Sequence, residues 1–134
     1  MSAYQTLVVG TDGSETSLRA VQRAAQIAAE SNAKLIIATG CPSSSSAEQK
    51  SSAILQKASD RAKAAGANHV EQQAIRGAPA HALVDLAHQV KADLLVVGRV
   101  GLDPIIGRLA SVPGNVASRA QTDVLIVNTT GSAS

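Results

Sequence analysis

The sequence predicts a doubly wound α/β domain, a single five-stranded parallel sheet with helices on both faces, and three observations carry that reading. Short apolar runs bounded by turn residues recur along the chain, at Leu7–Gly10, Leu35–Ala38, Leu94–Val97 and Val124–Val127, with a weaker alternating run at Val70–Ile75. Between them lie stretches whose apolar residues return with helical spacing. The chain also has one Tyr, no Phe and no Trp among 134 residues that are 45% hydrophobic, so its core is built from Val, Ile, Leu and Ala. An aliphatic core of this kind suits a parallel sheet covered on both sides, whose strands read as continuous β-branched runs.

In order, the first run leads into a helix whose stripe is Leu18, Val21, Ala25 and Ala28, with Ser14 as its expected cap. The second strand is followed by a short Ser-rich link, Pro42–Ser46, with helical spacing resuming at Ala47. That second helix carries Leu55, Ala58, Ala62 and Ala65, and Gly66 is its expected stop. A third stripe, Leu83, Leu86, Ala87 and Val90, precedes the fourth strand, and a glycine-rich loop with a short helix in "PGNVASRA" precedes the fifth. Right-handed crossovers then gather the strands into one parallel sheet. Length predicts one domain over residues 1–134, with an ordered core of about 4–128 and a tail at 129–134.

Charge and composition exclude several function classes. A net charge of +2 with dispersed Lys and Arg gives no basic patch, and Tyr4 alone offers no stacking platform, so no nucleic-acid partner is expected. No apolar run approaches the roughly eighteen residues of a membrane helix. A lone cysteine, Cys41, and an N-terminus "MSAYQTLVVG" without signal-peptide character point to a reducing cytoplasm. His81, Asp85 and His88 share one helical face, but it lies opposite the apolar stripe and lacks a fourth ligand, so it reads as a solvated face and no metal site is expected. His69 has no evident partner, and Cys41 reads as a small residue at a strand end. No Walker A sequence, dinucleotide fingerprint, nucleophile elbow or paired catalytic carboxylates occur.

In doubly wound sheets a ligand binds beyond the carboxyl ends of the strands, where neighbouring crossovers diverge. Two loops answer to that position. The first, Gly10-Thr11-Asp12-Gly13-Ser14, presents short polar side chains suited to a base edge or a ribose just ahead of a helix start. The second begins Gly98-Arg99-Val100-Gly101 and continues through Arg108 and Ala110 to Ser111 and Val112. Its glycines let backbone N–H groups approach phosphate oxygens, and Arg99 and Arg108 add positive charge.

Taken together, "VVGTDGSETSLRAVQRAA", "RGAPAHALVDLAHQVKADLLVVG" and "GRVGLDPIIGRLASVPGNVASRAQTDVLIV" fall in the order of the motifs of the universal stress protein family, which this chain resembles over nearly its whole length. "MSAY", "AQIA" and "AKLIIA" resemble an actinobacterial branch of it. The resemblance implies an adenine nucleotide alpha hydrolase-like fold with strand order 3-2-1-4-5. It also implies a non-catalytic, stress-response or regulatory domain that binds ATP, AMP or cyclic AMP, with magnesium accompanying ATP only. By the same resemblance Gly10, Thr11 and Asp12 face base and ribose, and the backbone of Ala38 lines the adenine. Gly98, Arg99, Val100, Gly101, Ser111 and Val112 form the phosphate site. A homodimer through the Val124–Val127 edge strand is implied as well, and that strand is apolar on both faces, which invites pairing.

Two departures from the family pattern bear on the ligand. Between Gly101 and the position of the third family glycine this chain has eight residues, Leu102 to Leu109, one fewer than the pattern, and Ala110 stands where that glycine belongs. A shorter loop with fewer donors favours a single or cyclic phosphate over a triphosphate. The link between the second strand and second helix is also short, leaving one side of the base pocket open. Two other readings compete: a weak ATPase or nucleotidyl transferase, for which no base to activate water is evident, and a scaffold that acts through protein contacts without a ligand.

Overall fold

The computed structural model describes residues 4–11, 15–40, 45–75, 79–98 and 123–127. Their order is β1 (Thr6–Gly10), α1 (Glu15–Ser31), β2 (Lys34–Gly40), α2 (Ser45–Ala64), β3 (His69–Ile75), α3 (Pro79–Gln89), β4 (Leu94–Gly98) and β5 (Asp123–Val127). All five strands are parallel and lie in the order β3-β2-β1-β4-β5, as expected. The helix α2 takes in Ser45 and Ser46 ahead of Ala47, because serine competes poorly in a helix interior but is at home in the first turn. The cap position Ser14, the thiol of Cys41 and the segment "PGNVASRA" lie outside the described residues.

Strand alternation divides the core into two layers. Leu7 and Val9, Leu35 and Ile37, and Leu94 and Val96 face the helices α1 and α2, where they meet Leu18, Val21, Leu55 and a run of alanines including Ala24, Ala25, Ala58 and Ala62. The intervening residues Val8, Ile36, Ala38 and Leu95 face α3, against Leu83, Leu86 and Ala87. Both faces of β1, β2 and β4 are therefore dry, which explains their unbroken apolar sequence. The edge strand β3 is polar and largely exposed. Its Gln72 donates to Ser59 Oγ at 2.9 Å and its Glu71 pairs with Lys34 at 3.2 Å. Among the described residues, no helix is long and apolar enough to cross a membrane.

The three described helices end in one recurring joint. Ala33 N–H donates to Ala28 O at 2.8 Å, Ala67 N–H to Ala62 O at 3.2 Å, and Ala92 N–H to Ala87 O at 2.8 Å. Inside each of these bonds a second one runs from the residue before: Asn32 to Ala29, Gly66 to Lys63 and Lys91 to His88. This paired pattern is the Schellman motif, which turns the chain through a left-handed residue and satisfies the last helical carbonyls. The left-handed positions are Asn32 (φ 52°), Gly66 (φ 112°) and Lys91 (φ 56°). The alanines on either side, Ala28 and Ala33, Ala62 and Ala67, and Ala87 and Ala92, are all buried. Each joint delivers the chain to the amino end of the next strand.

There the strands are tied together by side chains. One carboxylate oxygen of Asp93 accepts from Gln5 N–H at 2.7 Å and from Thr6 N–H at 3.2 Å. The Tyr4 hydroxyl donates to Asp123 at 3.0 Å, joining the approach to β1 with the start of β5.

Candidate functional site

The sheet reverses its winding between β1 and β4. From β1 the chain moves toward β2 and β3 with α1 and α2 on one face, and from β3 it crosses over the other face through α3 to β4. The carboxyl ends of β1 and β4 are thus neighbours whose onward connections part. A crevice at such a point is where this architecture receives ligands. Gly10 and Thr11 end one of the two strands and Gly98 ends the other, so the two loops singled out in the sequence start side by side.

At the end of β1, Gly10 is registered with Ala38 of β2, and Thr11 N–H extends the ladder by donating to Ala38 O at 2.9 Å. A side chain at Gly10 would place its Cβ 2.8 Å from Leu83 Cδ1. Leu83 is 1% exposed, so glycine here lets α3 close on the strand end, and Gly10 presents only backbone to a ligand. Ala38 does the same, since its side chain lies in the layer under α3.

Thr11 itself is 3% exposed, and its hydroxyl is 2.6 Å from that of Ser17, which is fully buried in the first turn of α1. Ser17 was not singled out in the sequence. The available signal was its place beside Leu18 in the apolar stripe, because a hydroxyl on a buried helical face needs a polar partner. On β2, Thr39 is buried, and the Ser51 hydroxyl donates to Gly40 O at 3.3 Å. Among the described residues, no atom lies within 4 Å of a Cβ built on Gly40.

Electrostatics at the start of α1 are set by an exposed pair. The Arg61 guanidinium donates to Glu15 at 3.0 Å, and that hydrogen bond, with the charge of Arg61, holds the Glu15 carboxyl below its ordinary range. Glu15 therefore stays ionised. His69, Asp85 and His88 are exposed. Among the described residues no group of three or more His, Cys, Asp or Glu is placed to hold a metal ion. Asp12, Arg99, Val100, Gly101, Arg108, Ala110, Ser111 and Val112, with the side chain of His81, lie outside the described residues.

Comparison with known proteins gives this crevice its context. The sequence pattern of the universal stress protein family matches residues 3–128. A universal stress protein of Mycobacterium tuberculosis is 53% identical, with 97% of this chain and 100% of the relative covered. That alignment is 147 positions long against a chain of 134 residues, so it includes positions at which the relative has residues and this chain has none. One from Methanocaldococcus jannaschii is 31% identical over 92% of this chain and 82% of its own. Among solved structures, a universal stress protein in complex with cAMP is 58% identical, covers 96% of this chain and 100% of its own, and superposes with a TM-score of 0.79. The protein from Archaeoglobus fulgidus in complex with dAMP shares the fold, with a TM-score of 0.74 at 22% identity over 93% of this chain and 98% of its own. With the strand order, the full-length pattern and the mycobacterial identity in agreement, this chain belongs to the universal stress protein family.

Proposed function

We propose that this chain is a regulatory binding protein for an adenine nucleotide, held in the crevice beyond β1 and β4, and that it acts without catalysing a reaction, in the cytoplasm. The observation that carries the reading is the cAMP complex of a protein 58% identical over the whole of its own length, together with the adjacency of Gly10-Thr11 and Gly98 at the switch point. The described rim fits such a ligand. It offers the buried backbone of Gly10, Thr11 and Ala38 on one side and the carboxyl end of β4 on the other.

In this reading Thr11 and Asp12 meet the base and ribose, and the backbone of Ala38 lines the adenine. Gly98, Val100, Gly101, Ser111 and Val112 surround phosphate, with Arg99 supplying charge. The stretch from Gly101 to Ser111 is one residue short of the family pattern and has Ala110 in place of glycine. A triphosphate needs more donors than a single phosphate and usually a divalent ion, so AMP or cyclic AMP binds more tightly than ATP, and magnesium matters only for ATP. Calorimetric titration with ATP, AMP and cyclic AMP, with and without magnesium, tests this. Tighter, magnesium-dependent ATP binding overturns the preference. Gly101→Val places a Cβ among the phosphate donors and should weaken AMP binding strongly with the fold intact; undiminished binding removes Gly101 from the site.

We also propose that β5 pairs with its counterpart in a second copy of the chain. It is an edge strand, and Val124 is 39% exposed, the one large hydrophobic side chain so exposed among the described residues. A Val124→Lys substitution brings like charges together across the two-fold axis and should yield monomer by light scattering.

A further inference from the structure

We infer that Ser17 is a positioning residue for the base and ribose end of the nucleotide, acting through Thr11 and not by touching the ligand. The inference rests on the nucleotide reading above. Thr11 precedes the segment that carries Asp12 and Ser17 stands in the first turn of the helix that follows it, and their hydroxyls lie 2.6 Å apart, buried. Thr11 is held on its other side by the hydrogen bond from its N–H to Ala38 O. The exit from β1 and the first turn of α1 are thereby locked to one another and to β2 before any ligand arrives. A hydroxyl pair out of water keeps its strength, and loss of either member takes that bond from the other.

Its placement separates the role from simple packing. Ser17 stands in the stripe that includes Leu18 and Val21, where alanine would serve the core equally well by size. A serine at that position adds only a hydroxyl, and the hydroxyl is directed at the residue that opens the ligand loop. Holding a strand end in its bound geometry lowers the entropy lost on binding. The effect should fall on the part of the ligand that Thr11 meets.

The test uses the full chain and compares adenosine with AMP. Ser17→Ala and Thr11→Val should each weaken both ligands by about five- to tenfold, by the same factor for the two, because the phosphate loop is untouched. The double variant should bind no worse than either single one, the signature of a shared interaction. Thr11→Ser keeps the hydroxyl and should restore affinity. A merely structural role predicts lower melting temperatures with affinity unchanged for the folded protein, and that result overturns the inference. So does additivity in the double variant. If the unmodified protein binds neither ligand, the nucleotide reading itself has failed, and that outcome is visible before any variant is made.

Discussion

At the amino ends of the strands the molecule is fastened, and at the carboxyl ends it is fitted. On the fastened side one oxygen of Asp93 gathers two backbone N–H groups, Tyr4 reaches Asp123, and three helices arrive through the same six-residue joint. On the fitted side β1, β2 and β4 end in Gly10, Gly40 and Gly98, and the side-chain bonds there, Thr11 with Ser17 and Ser51 with Gly40, join a strand end to a following helix. The difference teaches that holding the sheet together and shaping a crevice are assigned to opposite ends of the same strands. Substitutions at the two ends should then have separable effects.

The largest effect is expected at Asp93. Asp93→Ala deprives two backbone N–H groups, an exposed one at Gln5 and a partly buried one at Thr6, of a charged acceptor and should cost about 2–3 kcal/mol in urea unfolding, while nucleotide affinity of the folded protein stays unchanged. A matching loss of affinity would break the separation. Next is Gly10→Ala at the other end, where the added Cβ meets buried Leu83 and should cost about 1–2 kcal/mol. Here affinity should fall as well, because α3 and the strand end must move apart. Opposite in sign is Lys91→Gly, which relieves a left-handed lysine and should add about 0.5–1 kcal/mol; Gly66→Ala should subtract a similar amount. Neither should alter binding.

The smallest effect is a titration. The carboxylate of Asp123 accepts a hydrogen bond from the Tyr4 hydroxyl and so raises the Tyr4 pKa above its ordinary value. A raised folded pKa means that the contribution to stability is present below the unfolded value of about 10 and is lost as pH rises through the folded one. Tyr4 is the sole tyrosine of the chain, so tyrosinate absorbance reports on it alone. Its midpoint should be higher in the native protein than in urea, and Asp123→Asn should lower the native value. Equal midpoints would remove the Tyr4 clasp from the fastened end.

How much of this was legible follows from what each residue faces. Strands buried on both sides announce themselves as apolar runs, and the expected bounds of β1, β2 and β4 lie within two residues of the observed ends; the edge strand β5 is equally legible because its run Val124–Val127 is wholly apolar. β3 was weaker in sequence because it lies at the edge and carries Glu71, Gln72 and Gln73 in the open. Gly66 was readable as a helix stop. Lys91 was not, since lysine carries no preference for a left-handed backbone and only the alanine five positions downstream of Ala87 betrays the joint. Of the site, Gly10, Thr11, Ala38 and Gly98 could be placed at strand ends from their position after apolar runs. Ser17 could not, because a serine within an amphipathic stripe looks like an ordinary small residue until its partner is seen. Likewise the packing of Leu83 over Gly10 depends on how closely α3 approaches, which no local pattern encodes.

The recurring joint has an electrical corollary. Because α1, α2 and α3 each end at the amino edge of the sheet, their peptide dipoles are aligned, with the negative ends, about half a charge apiece, gathered where the strands begin. Lys63 of α2 sits in one of those last turns, where cations are most favoured. The opposite edge is left with the positive poles. A small anion diffusing past is thus drawn toward the carboxyl edge before any contact is made, over a distance of about 8 Å at physiological ionic strength, and its rate of arrival should fall as salt is added.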